Sequence, residues 1–392
     1  MGKKGEKDGK LNIAMLGHKR IPSREGGVEI VVEELATRMV SNGHKVTAYN
    51  RSGHHVSGKE FDTSKKKVKE YKGVRIKKVL TIEMKGLAAL SSSFFAALKA
   101  TFGRYDVIHF HAEGPSVMTI IAKLSRKKII VTIHGLDWQR AKWGKGAVKY
   151  LKMGEKFAAK YADEVIVLSE NVRKYFKEVY NRDTVFIPNG INEPDILPVE
   201  RIKERWQLEG RQYILYLGRI VPEKGIHYLI EAYKQIHTDY PLVIAGGSSD
   251  TDEYFGELKK LSEDNKNIIF TDFVQGKELE ELYSNAYVYV LPSDLEGMPL
   301  SLLEAMSYGN CCLVSDIPEC AEVVEDKAFT FTHSNVESLK EKLDFILGNQ
   351  ELVAAYRQAA KDYILKKYNW DDVVLRTLAL YEKKKGKKGK PE

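Results

Sequence analysis

Leu291-Pro-Ser-Asp-Leu-Glu296-Gly-Met-Pro-Leu-Ser-Leu-Leu-Glu304-Ala-Met-Ser-Tyr-Gly309 carries two carboxylates eight positions apart around the start of a helix. The apolar run ending at Leu291 reads as a strand. Pro299 suits the first turn of a helix and Gly309 its C-terminal cap, so the stretch reads as strand, short loop and a helix of about ten residues. The N–H groups of Met298 to Leu300 would then lack intrahelical partners at the positive end of the helix dipole, a setting that favours an anion such as phosphate. Two glutamates beside a phosphate would repel it. Glu296 and Glu304 make chemical sense as acceptors for hydroxyls on either side of the phosphates, as a ribose and a sugar provide.

The same strand and helix alternation runs along most of the chain. Apolar strands begin at Leu11, Lys45, Val74, Val107, Lys128, Glu164 and Thr184, with helices expected at 27–42, 87–102, after Pro115 and at 145–161. A second series opens at Tyr213, with helices expected at 225–238, 253–263 and 276–285, then the helix after Glu296 and two terminal helices. Short apolar strands separated by helices predict parallel sheets covered on both faces. The unit occurs twice, with a boundary near Asn192 to Pro198, where two prolines interrupt the periodicity. We expect an N-terminal domain over 1–193, completed by a crossover helix at 367–385, and a C-terminal domain over 194–366. The Lys-rich ends, 1–10 and 383–392, are expected to be disordered.

The 392 residues carry a net charge of +8, enough chain for two domains, since single cores stop growing near about 250–300 residues. Charge is unevenly divided. Residues 1–190 hold 37 Lys+Arg and 19 Asp+Glu, a net of +18, and residues 191–392 a net of −10. No secretory signal and no membrane-spanning run is read. Cys311, Cys312 and Cys320 are odd in number and lack metal-site spacing, which indicates a reducing cytoplasm and no zinc or disulfide framework.

Ligands of open parallel sheets bind outside the carboxyl ends of strands. Arg219 and Lys224 follow the first strand of the second half and can reach a diphosphate. Gly26 and Gly27, between the first strand and its helix, let backbone approach an anionic ligand closely. No G-x-G-x-x-G appears, which counts against a dehydrogenase. Asp250-Thr-Asp252 matches a metal-binding D-x-D, and His109 and His111 lie on one face of a strand near His134. We read the first as a polar loop and the second as a cleft wall, because no further ligand completes a zinc set.

With the E-x7-E pair, the G-R-x-x-x-E-K-G segment at Gly218 to Gly225, the glycine loop and Thr132-Ile-His134-Gly135 in view, residues 11–382 resemble the retaining GT-B glycosyltransferases of family 4. The resemblance implies an α/β fold of two Rossmann-like, doubly wound domains facing across a cleft, with a C-terminal helix crossing back to the N-domain. It implies Arg219 and Lys224 at a donor diphosphate, Glu304 at the ribose, and Glu296 with Gly297, Met298, Pro299 and Leu300 at the transferred sugar and distal phosphate. His134 is implied near the breaking bond, Gly26 and Gly27 at phosphate, and Phe273 and Val274 beside the nucleobase. The implied reaction moves a hexose-type sugar from a nucleotide-sugar, UDP first and dTDP next, to a saccharide or lipid-linked saccharide in bacterial capsule, exopolysaccharide or O-antigen synthesis, without a metal or other cofactor. A nucleotide-sugar epimerase or hydrolase and a silent sugar-nucleotide binder are the alternatives. No nucleic-acid partner is expected. The basic N-domain, with clusters at Lys65 to Lys69, Lys72 to Lys78 and Arg126 to Lys128, suits an anionic membrane at the inner cell face. Leu87, Leu90, Phe94, Leu98 and Phe102 share a helical face that packs either on the sheet or on lipid.

Overall fold

The computed structural model describes residues 9–24, 26–52, 68–84, 86–248 and 252–383. Asp250, Lys65 to Lys67 and most of the two charged ends lie outside the described residues. The chain forms two compact units, one running to Pro188 and resuming at Trp370, the other spanning Asn189–Asn369. The divide comes before the expected 193/194 boundary, and the returning segment starts at 370 rather than 367.

In the first unit, β1 (Asn12–Leu16), α1 (Gly27–Ser41), β2 (Lys45–Arg51), β3 (Glu70–Tyr71), β4 (Val74–Val79), α2 (Leu87–Phe102) and β5 (Val107–His111) lead to the short turns α3 (Glu113–Ser116) and α4 (Thr119–Ala122). Then come β6 (Lys128–Ile133), α5 (Lys145–Tyr161), β7 (Glu164–Val167), α6 (Glu170–Tyr180) and β8 (Val185–Phe186). The sheet order is β3-β4-β2-β1-β5-β6-β7-β8, parallel except for the β3–β4 hairpin. Every residue of β5 and β6 is buried, as expected for parallel strands with both faces covered. The expected helix after Pro115 is instead two single turns, and Pro115 sits inside the first. Neither β3 nor α6 was read from the sequence. The amphipathic α6 buries only Val172 and Phe176, too few apolar positions to stand out in a charged stretch.

The second unit comprises α7 (Arg201–Trp206), β9 (Ile214–Leu217), α8 (Ile226–Tyr233), β10 (Leu242–Ala245), α9 (Asp252–Leu261), β11 (Ile268–Asp272), α10 (Lys277–Asn285) and β12 (Val288–Leu291). It continues through α11 (Leu300–Ser307), β13 (Cys311–Ser315), α12 (Pro318–Val324), β14 (Phe329–Phe331), α13 (Val336–Leu347) and α14 (Gln350–Lys367). Its all-parallel order, β11-β10-β9-β12-β13-β14, repeats the first unit's central order, in which the direction of winding reverses between β1 and β5. The reversal here lies between β9 and β12, where ligands bind in such sheets. The helix predicted to include Pro299 starts one residue later, with Pro299 as its N-cap, and Gly309 follows its end at a φ of +71°.

The last helix, α15 (Trp370–Glu382), belongs to the first unit and packs on α1 through a buried face that includes Val373, Val374, Leu378 and Tyr381. Tyr381 Oη lies 2.6 Å from His109 Nδ1, inside the sheet's helix layer.

The apolar stripe of α2 faces outward. Leu87, Phe94, Leu98 and Phe102 are exposed, Phe102 by 75%, while Leu90 packs against the core, so most of the stripe does not lie on the sheet. The inward face is built from Ser91, Ser92, Ser93, Ala96, Ala97 and Ala100. Small side chains let the helix approach its neighbours, and the three serine hydroxyls donate to carbonyls one turn back, so they can be buried at little cost. No helix among the described residues is long and apolar enough to cross a membrane.

Several ionisable groups are buried in the first unit. Burial lowers His18 to about 4 and His109 to about 3, and His111 falls well below the usual imidazole value. Burial, then Asp137 and Glu155, push the carboxyl of Glu113 up to about 11. The imidazoles are neutral when folded, so their contribution to stability is complete above about pH 6.5 and lost as pH falls toward the folded values. Glu113 acts oppositely: its contribution is complete below the unfolded carboxyl value and lost as pH rises. With His134, which burial also lowers to about 4, unfolding at pH 6 takes up about three protons at the four imidazoles and releases about one at Glu113, and above about pH 7 the release dominates. The urea midpoint should therefore peak near pH 7, and Glu113→Gln should flatten the alkaline fall by about 1.4 kcal/mol per pH unit. Urea titrations from pH 5 to 9 check this; a midpoint rising steadily to pH 9 contradicts it.

Candidate active site

In the second unit the site is built where β9 and β12 diverge. After β9 the chain passes Arg219, whose carbonyl accepts a hydrogen bond of 2.8 Å from Tyr216 Oη, and makes a 3-10 turn at Pro222–Lys224. Gly225 follows at a φ of +63°, and a Cβ there would stand 2.0 Å from the Pro292 carbonyl oxygen. Only glycine lets this turn lie against the turn after β12. The two turns are also joined by backbone, since Asp294 N–H donates to Glu223 O at 3.0 Å.

That closeness brings Lys224 and Glu296 into a direct ion pair, with side chains 12% and 8% exposed. Ser293, itself buried, donates to the same Oε1 of Glu296 at 2.7 Å. In turn Ser315 Oγ on β13 donates to the Ser293 carbonyl at 2.5 Å. Gly297 leads into Met298, Pro299 and Leu300. The side chains of Met298 and Leu300 are buried, and Met298 Sδ accepts from Asn189 N–H at 3.0 Å. These residues therefore offer a ligand their backbone. The N–H groups of Leu302 and Leu303 close on Pro299 O, and those of Leu300 and Ser301 lack acceptors in the helix that follows, at the positive end of its dipole. On α11, Glu304 Oε2 accepts from Tyr283 Oη at 3.2 Å. Phe273 and Val274 follow the edge strand β11, two strands from β9, with Val274 buried. Asp252 opens α9, where Ser248 Oγ donates to its Oδ1 at 2.5 Å.

In the first unit, His134 follows β6 beside the β1/β5 reversal. Its Nε2 lies 3.1 Å from His111 Nδ1. Burial brings His134 down to about 4 against the opposing pull of Asp137 and Glu29, so it is a neutral imidazole at pH 7. His109 is occupied on both ring nitrogens, by Tyr381 Oη and by Thr132 Oγ1 at 2.7 Å. Among the described residues no three His, Cys, Asp or Glu side chains converge to hold a metal ion. Gly26 and Gly27 form the N-cap and first residue of α1. A Cβ on Gly26 would meet Glu29 Oε2 at 2.5 Å, while Glu29 Oε1 accepts from Lys19 N–H at 2.8 Å. A carboxylate already stands at this helix start.

Ser293, Tyr283 and Glu29 contact residues singled out from the sequence and were not themselves singled out. Ser293 lies within the opening motif, three positions before Glu296, a signal that was present. Tyr283 reaches Glu304 from the neighbouring helix α10, where no sequence spacing points to it, whereas His111, read from the sequence as lying near His134, does meet it.

Comparison with known proteins places both units among glycosyltransferases. Residues 25–193 match the family described as Glycosyltransferase Family 4, and residues 198–363 the family described as Glycosyl transferases group 1. The chain is 26% identical to an uncharacterized glycosyltransferase of Methanocaldococcus jannaschii, over 95% of this chain and 98% of that one. It is also 26% identical to the O-antigen biosynthesis glycosyltransferase WclY of Escherichia coli, over 64% of this chain and 73% of that protein. Among solved structures, Anabaena HepE in complex with UDP and glucose superposes with a TM-score of 0.78 at 15% identity, covering 94% of this chain and 98% of that one. With one unit matched by the Glycosyltransferase Family 4 model and the other by the group 1 model, the chain is a GT-B glycosyltransferase of the family 4 type.

Proposed function

We propose that the chain transfers a hexose-type sugar, with retention, from a nucleotide-sugar to a saccharide acceptor, probed first with UDP-sugars and then with dTDP-sugars. The observation that carries this reading is the Lys224–Glu296 pair at the β9/β12 reversal, flanked by Arg219 and the start of α11. A diphosphate entering there competes for the lysine, which frees Glu296 to accept hydroxyl hydrogen bonds from the sugar. Arg219, Lys224 and the N–H groups at Leu300 and Ser301 then place positive charge where the leaving diphosphate gains negative charge. Glu304 accepts from the ribose, and Phe273 and Val274 border the nucleobase. In the first unit, the family resemblance assigns backbone N–H groups of Gly26 and Gly27, beside the Glu29 carboxylate, to phosphate and the neutral His134 to a sugar hydroxyl. The acceptor hydroxyl attacks the anomeric carbon on the face the diphosphate leaves, and a phosphate oxygen takes its proton. Glu296 positions the sugar rather than forming a bond to it. No metal is needed for this charge balance, so activity should survive EDTA.

The Escherichia coli relative named for O-antigen biosynthesis supports a surface-polysaccharide acceptor, and the Anabaena HepE structure in complex with UDP and glucose supports UDP as the first carrier to test. A lipid-linked acceptor at an anionic membrane surface is supported by the outward stripe of α2, by exposed Ile120 and Leu124 near it, and by the +18 excess of residues 1–190.

Arg219→Ala and Lys224→Ala should each lower turnover by at least about tenfold, read by release of nucleoside diphosphate with acceptor present; full activity in either removes the diphosphate assignment. Glu304→Ala should weaken binding of free UDP in calorimetry, whereas Glu296→Ala should leave it nearly intact and impair transfer; the reverse pattern exchanges their roles. Co-sedimentation with anionic liposomes should weaken as salt rises past about 0.15 M and in Phe94→Ser/Phe102→Ser. Equal binding to neutral liposomes would refute the membrane surface and leave the transferase standing.

A further inference from the structure

A pocket of about 440 Å³ opens at the opposite end of α11 from the Lys224–Glu296 pair, lined by Arg211, Arg357, Lys361, Gln358, Tyr308 and Ile196 among others. About 12 Å of helix separates the two ends. Arg211 comes from the segment before β9 and donates through Nη1 to Ala286 O at 2.8 Å. Arg357, on α14, donates through Nε to Gly309 O at 3.0 Å. Lys361 lies one turn further along α14, and its closest acidic group is Glu193, at 3.5 Å and itself 72% exposed. Gln358 donates to Asp362 at 2.9 Å, one turn along the same helix. No carboxylate lines the pocket.

Three cations face one pocket, and Arg211 Nη1 and Arg357 Nε both donate to carbonyl oxygens, which neutralise no charge. An exposed pair such as Lys361–Glu193 offsets little of it. Guanidinium forks match the oxygens of a phosphate in pairs, and an ammonium adds a point charge. Tyr308 forms a buried wall, its ring stacked on Tyr283 with centroids 5.2 Å apart. The volume falls within the roughly 300–1,000 Å³ usual for small-molecule sites. Ile196 is the large apolar side chain exposed at its edge, which is too little to anchor a lipid.

We propose that this pocket is a second anion site, separate from the donor site, that binds a small soluble molecule bearing a phosphate or diphosphate group. The probe is inorganic pyrophosphate, titrated calorimetrically into the whole chain and its variants. Arg219→Ala/Lys224→Ala removes the cations proposed for the donor site and should leave pyrophosphate binding at the pocket in place. Arg357→Ala/Lys361→Ala should weaken the remaining binding at least tenfold. Gln358→Glu and Lys361→Glu, which leave the Gly309 carbonyl contact intact, should do the same with unchanged thermal unfolding. Vesicles of phosphatidylglycerol should bind wild type and Lys361→Glu alike. The proposal is overturned if Arg219→Ala/Lys224→Ala abolishes pyrophosphate binding, if folded Lys361→Glu binds as wild type does, or if Lys361→Glu loses vesicle binding while pyrophosphate affinity stays unchanged. The first two outcomes leave the transferase reading untouched, and loss of turnover in the donor-site variants tests that reading separately.

Discussion

The second unit is organised around an ion pair held almost out of water. Lys224 and Glu296 come from turns that follow different strands, and their meeting requires those turns to touch. Desolvating two charges costs several kcal/mol each, so such a pair adds little net stability compared with an apolar contact, but removing one partner strands the other. Ser293 and Ser315 extend the pair into β13, and the Asp294 to Glu223 backbone bond makes the two turns one object. A ligand that offers better partners to both charges can replace the pair without rebuilding the loops. The cost of preorganising charge at the site is met when the chain folds.

The first unit has the same central strand order and a different electrostatic solution. At its β1/β5 reversal the buried groups are imidazoles without matching carboxylates close enough to keep them charged, so burial makes them neutral. His109 is clamped between Thr132 and Tyr381, which ties the last helix of the chain to the strand carrying His111. His111 in turn meets His134 through a ring nitrogen. Neutral donors and acceptors suit recognition of hydroxyl groups, whereas the charged pair of the second unit suits a phosphate-bearing partner. One topology thus hosts two chemistries, according to whether buried groups arrive with counter-charges.

Much of the fold was legible because parallel βα units write themselves locally. Apolar runs bounded by glycine and polar residues mark strands buried on both faces, and the repetition of the unit was visible from Leu11 and again from Tyr213. Some elements that failed to register had weak local signals: α6 buries two side chains, β3 is two residues long, and the expected helix after Pro115 breaks into two turns; beyond β13, four helices and β14 stand where two terminal helices were expected. The α2 stripe misleads in an instructive way. Its large apolar residues suggest an inward face, but sheet contact goes to serines and alanines, because close approach of a helix favours small side chains whose hydroxyls bond their own backbone.

From the sequence alone came the alternation that makes two Rossmann-like units, the strand-end positions of Arg219, Lys224, Glu296 and His134, and the helix that starts beside Pro299. Those features depend on residues near one another in the chain, where steric and hydrogen-bonding preferences act directly. Tertiary structure alone decided that Lys224 pairs with Glu296, that Tyr283 holds Glu304, and that Arg211, Arg357 and Lys361 share a pocket. Each joins segments distant in sequence, and no local preference encodes a contact that exists only after separate strands have been laid side by side in register.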